Sequence, residues 1–164
     1  MLPAHYAITE LLIVIAAYFS INNLLNGKNY FAAVGIFLIG LTALIGAIRF
    51  GIFSSDLIVY LNKILALFSG ILALSLVSIQ IISNYISKKI ASITLAISAV
   101  TFLSLFIWTQ PILKLSILFI WAIFSIILTF SLPQKSLLMR LFKAFSMSII
   151  LIAFLTLSKQ LGIF

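Results

Sequence analysis

From Leu57 to Ser83 the chain reads LIVYLNKILALFSGILALSLVSIQIIS, with Lys63 as its one charged residue and no proline to break it. A bilayer's hydrocarbon core is about 30 Å thick, and roughly 20 residues of α-helix, rising about 1.5 Å each, cross it. The segment is longer than that, so it predicts a transmembrane helix that tilts or projects beyond the bilayer. A barrel strand would instead alternate polar and apolar residues over about 10 positions, and this run does not alternate.

Inside this segment Asn62, Ala66, Ser69, Ala73, Leu76, Gln80 and Ser83 recur at alternating spacings of four and three. On a helix they form one stripe. Small and amide residues in an apolar helix let backbones approach and hydrogen-bond across the contact. Packing against a neighbour is the plainer expectation; the sharper one is a polar lining for a pathway or pocket, with Asn62 and Gln80 at its ends.

Outward from this helix the pattern of apolar runs and breaks repeats. Predicted spans cover 7–25, 30–49, 57–83, 90–108, 112–132 and 138–157. They are separated by the Asn22 to Asn29 cluster with its Asn-Gly turn signal, by Gly51 to Asp56, by Lys88 and Lys89, by Thr109 to Pro111 and by Pro133 to Lys135. Ser55 or Asp56 is expected to cap the third helix. The predicted fold is all-α: a polytopic integral membrane bundle of about six transmembrane helices. No room remains for a soluble domain. Of 164 residues, 65% are hydrophobic and 7% charged, a balance that excludes a water-soluble domain of this size. The first span contains Glu10, follows no Lys or Arg and leads to no small-x-small cleavage site, so retention is expected over removal as a signal peptide.

The net charge of +8 would suggest nucleic acid as a partner of a soluble protein. Here the charges sit singly at helix ends, where anionic headgroups account for them better, so the bilayer is the expected partner and nucleic acid is not. Lys28, Lys88, Lys89, Lys135, Arg140 and Lys143 fall on one face and outnumber Arg49, Lys63, Lys114 and Lys159 on the other. By the positive-inside rule both termini are expected on the non-cytoplasmic side.

Chemistry-bearing residues are few. With no cysteine and His5 as the single histidine, thiolate and poly-histidine metal sites are excluded, and no cofactor is expected. The carboxylates are Glu10 and Asp56. Glu10 lies about a turn into the first helix and Arg49 at the end of the second, which antiparallel packing brings to similar depth. On the second helix Gly35, Thr42, Gly46 and Arg49 share a face, so Arg49 is expected to point toward protein. An ion pair between Glu10 and Arg49 is the plain expectation, and a ligand or transport site formed by Glu10, Arg49, Asn62, Lys63 and Gln80 the functional one. Ala91, Thr94, Ser98, Thr101 and Leu105 in the fourth helix, and Ala122, Ser125 and Thr129 in the fifth, predict inward faces.

Size and helix count are similar to those of the small membrane substrate-binding subunits of vitamin transporters. The first helix of that family often carries an alanine-x-x-x-alanine contact motif. Here Ala16 and Ser20 hold that spacing on the first helix, and Ala43 and Ala47 on the second. The resemblance lies at the level of fold, which does not carry function. A transporter or membrane ligand-binding protein, its polar site near the non-cytoplasmic face and its ligand a small molecule or lipid, is the leading expectation. Second is an accessory or structural subunit working with other membrane chains or as a homo-oligomer. Third is a lipid-modifying membrane enzyme, for which His5 and Asp56 are the scarce acid-base groups; the balance leans against an enzyme.

Overall fold

The computed structural model describes residues 4–52, 55–107 and 111–131. Among them the regular elements are all α-helices: α1 (Ala4–Asn26), α2 (Tyr30–Gly51), α3 (Asp56–Tyr85), α4 (Lys88–Ile107) and α5 (Pro111–Ser131). Three of these, α1, α2 and α3, are long and apolar enough to cross a membrane. A shorter apolar stretch, Phe119–Leu128, lies within α5. The sixth predicted span, 138–157, lies outside the described residues. So do Trp108 and the Thr109 to Gln110 break, together with Lys135, Arg140, Lys143 and Lys159 of the orientation count.

Side-chain and backbone caps set the helix ends. At the end of α1, Lys28 N–H donates to the Leu25 carbonyl at 3.0 Å and Asn29 N–H to the Leu24 carbonyl at 2.8 Å. These are the paired bonds of a Schellman motif, which needs a left-handed residue at its turn. That residue is Lys28, with φ of 57°, and not the Gly27 of the Asn-Gly signal. Ser55 caps α3, its hydroxyl accepting from Ile58 N–H at 3.3 Å, and Asp56 stands in the first turn. Ser87 caps α4 in the same way, accepting from Lys89 N–H at 3.2 Å. Lys88 and Lys89 therefore begin a helix, where the sequence pattern had placed them in a loop. Pro111 opens α5, a position where its missing N–H costs no hydrogen bond.

The chain divides into two compact units, the first running to Gln80 and the second from Ile81. In the first, α2 packs on α1 with one face and on α3 with another. Gly51, Gly46 and Gly40 approach Ala7, Glu10 and Ala17 of α1 in that order, so the two helices are antiparallel. Toward α3, Phe31, Gly35, Thr42 and Arg49 meet Gln80, Ala73, Ser69 and Asn62, again antiparallel. The residues that α2 buries are all small: Ala32, Ala33, Gly35, Ala43, Gly46 and Ala47. In lipid, apolar burial does not drive helix association, and close backbone approach of this kind supplies van der Waals contact instead. The outer side of α1 exposes Ile8, Leu12, Ile15, Tyr18 and Phe19, a surface suited to acyl chains. Ala16 and Ser20 are exposed as well, and Ala17 makes the contact to α2.

In the second unit α4 buries Ala91, Thr94 and Ser98, and α5 buries Ile117, Trp121, Ala122, Ser125 and Leu128. The Trp121 indole N–H donates to Thr101 Oγ1 at 3.3 Å, tying α5 to α4. Ser125, fully buried, donates to the Trp121 carbonyl at 2.8 Å. Beside this contact an open, apolar cavity of about 230 Å³ is lined by Thr94, Ile97, Thr101, Ile120, Trp121 and Phe124.

Candidate functional site

The polar residues of the first unit form a ladder along the α2–α3 contact. At one end the Gln80 side-chain oxygen accepts from Phe31 N–H at 3.0 Å. Asn29, the residue before α2, makes no side-chain cap bond to that helix, so Gln80 supplies from α3 the acceptor that a helix N-terminus lacks. Midway, Thr42 Oγ1 donates to Ser69 Oγ at 2.8 Å and stands 2.9 Å from the Leu38 carbonyl. At the far end Arg49 Nη1 donates to Asn62 Oδ1 at 3.1 Å, while Asn62 Nδ2 reaches back toward the Thr42 carbonyl at 3.5 Å.

Arg49 is where this ladder stops being self-satisfied. It lies in the last turn of α2, where its charge complements the negative end of the helix dipole. Its guanidinium carbon sits 4.8 Å from the centroid of the Phe50 ring, which in turn packs 5.5 Å from the Tyr6 ring of α1. Stacking and the Asn62 bond fix the plane of the guanidinium. Its Nε–H is buried and has no hydrogen-bond acceptor among the described residues. A buried donor left unmade costs about 1–3 kcal/mol, more for a charged group.

Glu10 stands against the neighbouring turn of α2. A Cβ on Gly46 would fall 2.8 Å from the Glu10 carboxyl carbon and 2.9 Å from Oε1, so the absent side chain makes the space that the carboxylate occupies. Glu10 of α1 thus stands against α2 one turn from the level of Arg49. Among the described residues no ion pair joins them, and Arg49 turns to Asn62. Glu10 approaches α2 on the edge that carries Gly46, while Arg49 projects from the edge that carries Thr42 and faces α3. Gly46 consequently faces α1 and not the helix to which Gly35 and Arg49 point.

Of the five candidate residues, Arg49 and Asn62 are in direct contact, Glu10 lies against Gly46 on the α1-facing edge of α2, and Gln80 is at the opposite end of the ladder. Lys63 is exposed. His5, at the start of α1, is exposed with its ring 4.4 Å from that of Tyr6, and Asp56 stands at the start of α3. Beyond the predicted stripe, α3 has a second buried line that includes Ile71, Ser75, Ser78 and Ile82, all fully buried. Its serines donate to their own helix, Ser75 to the Leu72 carbonyl at 2.9 Å and Ser78 to the Leu74 carbonyl at 2.8 Å. Four-three-four spacing of these residues was the available signal. Compared with known proteins, the chain matches no family model, no curated protein and no solved structure.

Proposed function

We propose that the chain is a multi-pass membrane protein of about six spanning helices that binds a small polar molecule or a lipid headgroup, for transport or retention, near the non-cytoplasmic face. Glu10 and Arg49 are its contact groups, and Asn62 positions Arg49. The observation that supports this reading is the buried Arg49 Nε–H without an acceptor, one turn along α2 from Gly46, against which the Glu10 carboxylate lies without pairing with Arg49 among the described residues. Intramembrane charges are costly, and those left unpaired by the protein mark ligand or ion sites more often than packing sites. Gln80, Thr42 and Ser69 act differently, as bonds that hold α2 to α3.

Native mass spectrometry of the gently extracted protein tests the proposal. A small molecule or lipid retained by the wild type and lost in both Glu10→Gln and Arg49→Gln, with helical circular dichroism unchanged, is the expected result. Retention that ignores both substitutions, or no retained molecule at all, would remove it. A second reading, an accessory subunit of a larger membrane complex, draws on the apolar outer side of α1 and on polar residues already used between helices. A stoichiometric partner chain in the same spectrum, without a small molecule, would favour it.

A further inference from the structure

Resting on the multi-pass membrane reading above, but on none of its site residues, we infer that the groove between α4 and α5 holds an acyl chain of an anionic phospholipid whose phosphate lies against Lys88 and Lys89. The groove is the apolar cavity of about 230 Å³ lined by Thr94, Ile97, Thr101, Ile120, Trp121 and Phe124. Its donors are already used within the protein: Thr94 donates to the Ile90 carbonyl at 2.9 Å, Thr101 to the Ser98 carbonyl at 2.9 Å, and the Trp121 indole N–H to Thr101 at 3.3 Å. The groove therefore offers a ligand apolar surface. Two of its residues, Ile97 and Ile120, are exposed, so it opens to whatever surrounds the helices. In a bilayer that is acyl chain.

Charge selects the headgroup. Lys89, Ile93 and Ile97 follow one another at intervals of four, a single row along α4, and all three are exposed. Lys88 heads the adjacent row, through exposed Ser92 and Ala96. The row thus begins with a cation and enters the groove at Ile97, about 12 Å further along the axis at about 1.5 Å a residue. Each leaflet contributes half of a hydrocarbon core of about 30 Å, so lysines in the headgroup layer put the groove at the depth of the acyl chains. No Asp or Glu follows Asp56 in the sequence, so no side chain of the second unit can neutralise either lysine. A lipid phosphate does so, and the positive end of the α4 dipole adds to the attraction. A net-neutral headgroup brings its own cation, which the lysines repel; a net-anionic one does not.

Trp121 supplies the probe. It lines the groove yet is only 5% exposed, so it reports on a chain inside the groove and little on bulk lipid. Trp108 and Trp121 are the two tryptophans of the chain, and Trp108→Phe leaves Trp121 as the single emitter. This protein is placed in vesicles of equal phosphatidylglycerol and phosphatidylcholine, with bromine midway along the acyl chains of one lipid or of the other. The expected result is quenching of Trp121 chiefly by brominated phosphatidylglycerol, a preference of about tenfold or more, since each lysine near an anionic phosphate contributes a factor of about five. Joint replacement Lys88→Gln and Lys89→Gln, at two exposed positions, should equalise the two lipids. Equal quenching by both lipids with the lysines in place, quenching by neither, or a preference unmoved by the joint replacement overturns the inference. Flotation of the same vesicles separates this failure from a broader one: protein that does not float with them removes the membrane reading itself.

Discussion

Gly35→Ala puts a close backbone contact between α2 and α3 to the test. A Cβ there would meet the Ala73 carbonyl oxygen at 3.0 Å, Ala73 Cα at 3.2 Å and Leu76 Cβ at 3.5 Å. Unstrained carbon contacts lie near 3.5–4.0 Å, and the two nearest atoms are backbone, which no rotamer change can move. The helices must separate by several tenths of an ångström, stretching the Thr42–Ser69 and Arg49–Asn62 bonds as they do. Overpacking of this kind costs about 1–3 kcal/mol. Replacing glycine by alanine in a helix returns about 1 kcal/mol, so the net expectation is a loss of about 1 kcal/mol, and as much as 2 where α3 resists displacement. Unfolding in mixed micelles by titrated dodecyl sulfate, followed by circular dichroism, measures the difference. Gly46→Ala is the internal comparison, because its new Cβ meets the end of the flexible Glu10 side chain, and its loss should be smaller. A Gly35→Ala protein as stable as the wild type would refute the α2–α3 packing described here.

Further predictions concern the same unit. Gly40→Ala brings a Cβ to 2.9 Å from Ala17 Cβ, and it should destabilise by about 1 kcal/mol or more alone; combined with Ala17→Gly most of that loss should disappear, which a double-mutant cycle reads directly. Lys28→Gly relieves a left-handed residue and should raise stability by about 1 kcal/mol; a lowered unfolding midpoint would contradict the Schellman assignment. Gln80→Leu removes the acceptor of Phe31 N–H and should cost about 1 kcal/mol, with faster hydrogen exchange at the Phe31 amide as its local signature.

The helical class was legible because unbroken apolar runs such as 57–83 admit no other backbone in lipid. The contact stripe on α3 was also visible: Asn62, Ala66, Ser69, Ala73 and Gln80 are all buried, and Asn62, Ser69 and Gln80 bond to α2. What the stripe pairs with was not visible. Periodicity says which residues share a face, but the rotation of α2 between two neighbours decides that Gly46 meets Glu10 while Arg49 meets Asn62. Depth alone suggested an ion pair, and azimuth separated the two charges. Likewise the Asn-Gly signal marked the α1–α2 turn, yet the left-handed position follows from where α1 makes its last bonds, a register that shifts by a residue or two without changing the sequence signal. The cap provided by Gln80 had no local signature, since its partner is Phe31, far away in the chain.

If α2 crosses a membrane between two antiparallel neighbours, its Lys28 end and its Arg49 end lie on opposite sides. Because the chain has no cysteine, Lys28→Cys and Ser54→Cys can each be labelled singly in sealed cells with an impermeant maleimide, before and after permeabilisation. Position 54 is expected to be labelled from outside and position 28 only after the cytoplasmic side is opened. The opposite pattern would invert the orientation and move Glu10 and Arg49 to the cytoplasmic face. Labelling of both positions from the same side would contradict the spanning helix itself.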